Sequence, residues 1–243
     1  MNQIKYISFF FFIILWQGLA IAINSSVFPT VIDILSNMFH HLTNGELLHH
    51  LYITLYRVFI SFLICMIIGI TFGILMGVYS KVNDMLDFLL IVGLNLPALV
   101  TIIICYIWFG LSDFSALLAV IINKVPIIVV NIREGARAIE QKYFDLAIVY
   151  DIPKKDVIKK IYLPQLYPYI MATTRLSLSL IWKIVLFVEL LGRSDGIGFQ
   201  ISMFFQFFDI KSILSYSFAF IFVVLLIETL ILKPLDNRIK RWK

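Results

Sequence analysis

Two lysines and a glutamate stand where side chains are otherwise hydrocarbon. Lys124 interrupts the apolar run Phe114 to Ile132, and Lys183 and Glu189 fall within the run Ile170 to Leu191. An ionisable group inside a membrane span costs roughly 2.5–3.5 kcal/mol on insertion scales, so each marks a candidate site on a substrate path. Ammonium groups facing an aqueous cavity would favour an anionic solute. The plainer alternative is pairing, with Glu189 or with a carboxylate of a second copy. Arg57 and Arg175 lie near the ends of their runs and are expected to snorkel to the headgroups. Glu228, one turn from the end of its run, reads as structural.

Other chemistries lack their residues. There is no His-Glu-x-x-His and no pair of intramembrane aspartates, so a membrane-embedded enzyme is disfavoured. No Gly-x-x-x-x-Gly-Lys-Ser/Thr run is present, so this chain cannot cradle ATP in that way. Cys65 and Cys105 sit in apolar runs and suit neither a disulfide framework nor a metal site. The pairs His40-His41 and His49-His50 lack a third ligand at metal spacing and read as interfacial or partner-facing. No cofactor and no metal is therefore expected in this chain.

The elements that must position these residues follow from composition. Hydrophobic residues make up 61% of the 243 and charged residues 14%. Soluble domains average about 45–50% and about 25%. The excess needs lipid around it, so the expectation is an all-α membrane protein, one transmembrane domain over 1–243. Six segments are long and apolar enough to span. They are 7–23, 51–78, 88–111, 114–132, 170–191 and 213–232. The first also fits a signal peptide loosely, but its weak charge asymmetry favours a retained span. With both termini in the cytoplasm, Lys5, Lys81, the basic residues of 133–168 and the tail Lys233, Arg238, Lys240, Arg241 and Lys243 lie inside. Only Arg193 and Lys211 lie outside, which fixes that orientation. The net charge of +5 is then an inside anchor, not a nucleic-acid patch.

Outside, Pro29 and the spacing of Val31, Ile32, Leu35, Met38, Phe39 and Leu42 predict a short surface helix. Gly69, Gly73 and Gly77 share one helix face and predict close helix packing, within the subunit or across a dimer. Pro97 and Pro126 are expected to kink the third and fourth spans. Phe199 to Phe208 fits an aromatic segment capping a path and an ordinary aromatic belt equally. Internal repeats and broken helices, the marks of many gradient-driven transporters, are not visible in the sequence.

The one long polar stretch, 133–168, is the expected contact with something beyond the membrane. Ile139, Tyr143, Ala147 and Tyr150 recur at helical spacing over 138–150. Asp151-Ile152-Pro153 breaks the pattern, and Pro153 suits the start of a second helix to about Tyr162. Leu163-Pro164 is expected to stop or kink it. The result is a rigid helix–turn–helix bracket.

Asp145-Leu146-Ala147, three residues, Asp151, nine residues, Ile161-Tyr162-Leu163-Pro164 resembles the Glu-Ala-Ala loop of permease subunits of binding-protein-dependent ABC importers. The family pattern is Glu-Ala-Ala, three residues, Gly, nine residues, Ile-x-Leu-Pro. Ala147, Ile161, Leu163 and Pro164 match by identity, and Asp145 keeps the charge of the Glu. Leu146 and Asp151 replace Ala and Gly; Asp tolerates left-handed backbone better than most residues. Thr54 to Val58, the glycine ladder, Asn95-Leu96-Pro97, Trp108-Phe109-Gly110 and the stretch Trp182 to Gly198 resemble the sulfonate, taurine, nitrate and thiamine-precursor branch.

The resemblance implies a permease, not an enzyme, in a bacterial inner membrane. It implies a second permease copy, a cytoplasmic ATPase dimer binding ATP and Mg²⁺, and an extracytoplasmic substrate-binding protein. Asp145, Leu146, Ala147, Asp151, Ile161, Leu163 and Pro164 would couple to the ATPases. The substrate it implies is a small, anionic solute or a thiamine or pyrimidine precursor. The different class to hold against it is a gradient-driven secondary transporter.

Overall fold

The computed structural model describes residues 2–234, which are helical throughout apart from short connections, with no strand among them. The basic tail beyond Pro234, Arg238 to Lys243, lies outside the described residues. Among the described residues, three helices are long and apolar enough to cross a membrane: α3 (Leu47–Val78), α6 (Asp113–Arg137) and α11 (Ile210–Ile227), the last extended by a π-helical turn to Leu232. A bent pair, α4 (Ser80–Asn95) and α5 (Ala98–Phe109), would make a fourth. The apolar part of α1 (Asn2–Ile23), Ile7–Ile23, is shorter. Helix α9 (Leu163–Gly192) is long but carries Arg175, Lys183 and Glu189.

The core forms where α3, α6 and α9 meet, and the glycine ladder explains the closest of these contacts. A Cβ on Gly69 would strike the Ile128 side chain, one on Gly73 would lie 2.6 Å from Cβ of Ile132, and one on Gly77 would strike Ala136. The ladder therefore packs α3 on α6 inside the subunit. Without side chains at these positions the branched residues of α6 sit directly on the α3 backbone. Gly73→Leu is expected to lower stability by about 1–3 kcal/mol through overpacking. Thermal denaturation in detergent measures it; an unchanged midpoint would mean that α6 does not lie against α3 in this register.

The expected third span, 88–111, is not one helix. It breaks at Leu96-Pro97, and α4 and α5 meet at a bend of 100°. Pro97 has no N–H to donate and pushes the residue before it out of the helical region. Leu96 accordingly takes φ −69°, ψ 123°. A broken helix is thus present that hydropathy does not reveal, because Leu96 and Pro97 are themselves apolar. Pro126, by contrast, lies within a helix that continues on both sides of it.

The surface helix exists as α2 (Val31–Thr43), with Thr30 rather than Pro29 at its start. Thr30 Oγ1 accepts from the Asp33 amide at 3.1 Å, a capping bond that satisfies one free donor of the first turn. α2 packs on α11, where Asn37 Nδ2 donates to Ser212 and Ser215. His41 packs against Tyr216 and Phe204 in the same contact. Burial in this contact pushes the His41 pKa below the ordinary value. Trp16 donates to the Pro29 carbonyl at 3.1 Å and stacks on Phe28, which pins the end of α1 to the start of α2. The aromatic stretch is the helix α10 (Ile197–Gln206), packed on α9 and α11.

Candidate functional site

The polar stretch begins later and ends differently from the expected 133–168. Arg133 and Arg137 belong to the last turns of α6, so the loop starts at Ala138. Arg133 donates to Asp87 Oδ1 at 2.6 Å and to Asn83 at 3.1 Å, tying that end of α6 to α4. The bracket's first helix is α7 (Gln141–Val149) and its second is the short α8 (Lys154–Asp156). α8 runs on through a π-helical turn, Val157–Tyr162, directly into α9. Leu163-Pro164 therefore does not stop the helix. Pro164 follows directly on the wide turn, where the Leu163 amide already bonds five residues back, to the Ile158 carbonyl, so the regular ladder is interrupted just where proline has no N–H to give.

The end of α7 is closed by local backbone bonds. The Ile152 amide donates to the Ala147 carbonyl at 2.8 Å, and the Asp151 amide to the Ile148 carbonyl at 3.1 Å. This is the Schellman arrangement, which needs a left-handed residue where the chain turns. Asp151 supplies it with φ +49°. The side chains divide sharply. Ala147 is 3% exposed and Phe144 lies over Tyr162 at a ring separation of 6.4 Å, so these face the bracket's interior. Burial there pushes the Tyr162 hydroxyl above its ordinary pKa. Ile148, Val149 and Tyr150 are 76%, 77% and 74% exposed, with Leu146 beside them. The expected stripe of Ile139, Tyr143, Ala147 and Tyr150 is therefore split: Tyr150 points away from Ala147. Of the remaining matched positions, Asp145 accepts from Gln141, Ile161 is half-buried, and Leu163 and Pro164 are exposed.

A second constellation was missed in the sequence. Arg57, expected at the headgroups, is 3% exposed and faces three carboxylates. Its Nε donates to Asp113 Oδ1 at 2.8 Å, its Nη2 to Asp195 Oδ1 at 2.5 Å, and its Nη1 to Glu189 Oε1 at 3.0 Å. Glu189 is fully buried, and its other oxygen accepts from Thr54 Oγ1 at 2.8 Å and from the Gly198 amide at 3.0 Å. Thr54 Oγ1 in turn accepts from the Ile197 amide at 2.8 Å, and His50 Nδ1 accepts from the Gly196 amide at 3.0 Å. Gly196 has φ +101°, and a Cβ there would strike the Glu189 carboxylate, so only glycine fits this turn. Arg193 closes the cluster on Asp113 Oδ2 at 3.2 Å.

The cluster welds α3, the start of α6, the end of α9 and the start of α10. Glu189 was a substrate-path candidate, but both of its oxygens are engaged by this chain. The signal that could have found the cluster was the shared depth of Arg57, Asp113, Glu189 and Asp195 at one end of their runs. Arg175, also expected to snorkel, pairs with Glu228 at 3.3 Å.

Lys124 and Lys183 remain. Lys124 is half-buried on α6 and Lys183 exposed on α9. Since Glu189 turns to Arg57, the pairing of Lys183 with Glu189 does not form. The two lysines instead stand on helices that pack side by side, α6 and α9.

Comparison with known proteins gives a consistent picture. Residues 69–233 match the family model described as "binding-protein-dependent transport system inner membrane component". A provisionally assigned aliphatic sulfonates transport permease of Bacillus subtilis is 28% identical, over 95% of this chain and 84% of its own length. A nitrate import permease of Leptolyngbya laminosa is 29% identical over 80% of this chain and 72% of its own. A bicarbonate transport system permease of Synechococcus elongatus is 34% identical over 61% of this chain and 54% of its own.

Proposed function

The chain belongs to the family of inner-membrane components of binding-protein-dependent transport systems, and from that premise we propose the following assembly and cycle. It is an ABC importer permease and a multi-pass membrane protein. Its spans are six: α1, α3, the bent pair α4–α5, α6, α9 and α11, with both termini in the cytoplasm. Two copies form one path as a homodimer. Two separate ATPase subunits bind ATP and Mg²⁺, and an extracytoplasmic binding protein delivers the solute.

The observation that carries the coupling role is the apolar knuckle Ile148, Val149 and Tyr150, exposed on a helix whose own end is fully hydrogen-bonded. A stiff helix with an unburied apolar tip suits a groove in a partner. ATP binding closes the ATPases, their grooves carry the brackets with them, and α9, continuous with the bracket, transmits the movement to the path. The spans then pass from inward-open to outward-open, the binding protein releases its solute, and hydrolysis resets the cycle. Coupling of this kind needs an element with two arrangements that both sites bias.

The solute is a small anion. The family members named for sulfonates, nitrate and bicarbonate all carry anions, and the lysines of α6 and α9 are suited to one. A thiamine or pyrimidine precursor is the competing substrate class.

The test is uptake in proteoliposomes holding this chain, its ATPase and its binding protein, with the solute found by screening that binding protein against taurine, alkanesulfonates, nitrate and pyrimidines. Uptake should require ATP and ignore a protonophore. Uptake collapsed by the protonophore and indifferent to ATP would overturn the reading.

A further inference from the structure

Among the described residues, Lys124 and Lys183 are the charges of the six apolar runs that no carboxylate pairs with. The six apolar runs contain two carboxylates, Glu189 and Glu228. Arg57 holds the first and Arg175 the second. A second copy of the chain brings the same two carboxylates, engaged in the same way. A homodimer therefore has no free carboxylate at this depth to neutralise either lysine.

Nor do the ends of the helices solve the problem. Lys183 lies nine residues before Gly192, the end of α9, which is about 13 Å along the axis at 1.5 Å per residue. Lys124 lies eleven residues after Asp113, the start of α6, or about 16 Å in. A lysine side chain does not bridge such distances to a lipid phosphate. Lys183 instead stands in the middle of an exposed stripe of α9, with Leu176 and Ser179 on one side and Phe187 and Leu190 on the other. That stripe is the face of α9 that this chain leaves uncovered, and α6, carrying Lys124, packs alongside.

We infer that Lys124 and Lys183 together form a binding site for a small oxyanion, one with two or three acceptor oxygens on a single sulfur, nitrogen or carbon atom. Two ammonium groups on neighbouring helices present several donors to one such group, and its charge removes their mutual repulsion. The exposed lysine meets the anion first, and the half-buried one fixes its depth. A neutral solute of the same shape gains neither term, so the pair selects by charge. The inference rests on the permease reading for the role in transport, but not for the binding itself.

Two measurements test it, and only one depends on ATP coupling. In the purified full-length chain in lipid nanodiscs, acetylation by acetic anhydride is followed at Lys183 and Lys124 by peptide mass spectrometry. Methanesulfonate near saturation should slow modification of Lys183 roughly threefold or more by occupancy, while dimethyl sulfone, its neutral counterpart, should not. Equal rates in the two would overturn the site. In the reconstituted importer, the double variant Lys124→Met/Lys183→Met should lose about tenfold or more in the rate of anion uptake. Lys124→Arg/Lys183→Arg, which keeps both charges, should retain most of it. Uptake untouched in the Met variant, or lost equally in the Arg variant, would refute selection by charge. Protection of Lys183 without ATP-driven uptake would leave the site standing and remove the permease cycle instead.

Discussion

Arg57→Met is expected to destabilise the folded chain by about 3–5 kcal/mol, the scale for removing one partner of a buried ion pair. The loss does not come mainly from the missing attraction. Arg57 and Glu189 are both almost fully removed from solvent, and without the guanidinium Glu189 stays buried with a charge that only Thr54 and the Gly198 amide address. Asp113 and Asp195 lose a donor as well, but they are partly exposed and can turn to water. Glu189→Gln should cost less, about 1–3 kcal/mol. The Gln carbonyl can still accept from Gly198, and Arg57 keeps two carboxylates. The discriminating variant is Arg57→Met/Glu189→Met, which removes both charges. If the burial argument is right, it recovers a substantial part of the stability lost in Arg57→Met, as measured by denaturation midpoints in detergent. A double variant as unstable as the sum of its singles would mean that the two charges contribute independently and that the weld is not a pair.

The contrast between Arg57 and Asp151 shows what a sequence of this kind makes legible. Asp151 sits in a turn closed by its immediate neighbours, and the left-handed backbone expected of it there is the one observed. Local backbone demands can be read from local residues. Arg57 answers to Asp113, Glu189 and Asp195, which are 56, 132 and 138 residues away. Its depth along its own helix suggested snorkelling, and nothing along that helix contradicts it. The long apolar runs of α3, α6 and α11 were visible because a span needs only apolar length. The break at Leu96-Pro97 was visible only as a kink, since hydropathy registers side chains and the break is made by the backbone. The glycine ladder was read as a packing face, but its partner, α6, came only from three-dimensional placement. The bracket of α7 and α8 falls between these cases. Spacing located it, while the direction each side chain takes was decided by how α7 settles on the turn ahead of α9.

That direction changes which substitution tests coupling. Ala147 is the matched residue of the motif, and a bulky charge there looks like the natural probe. Because Ala147 is buried beneath α7, such a charge would disrupt the bracket itself, and lost transport would report misfolding. Tyr150→Ala is the sharper probe. Its ring is 74% exposed in this chain, so truncation should leave the melting temperature unchanged. If the ring is an anchor in the ATPase groove, its loss should cost about 2 kcal/mol of association, or roughly a thirtyfold weaker complex. ATP-driven uptake and stimulation of ATP hydrolysis by the loaded binding protein should then fall together. Lys142→Ala, on the exposed side of the same helix where its ion pair with Glu140 is solvated, should change neither by more than a small factor, since such pairs contribute about 0–1 kcal/mol. Full coupling in Tyr150→Ala at limiting ATPase concentration would move the contact off this knuckle. The motor would then have to grip the chain through a surface other than the one α7 leaves bare.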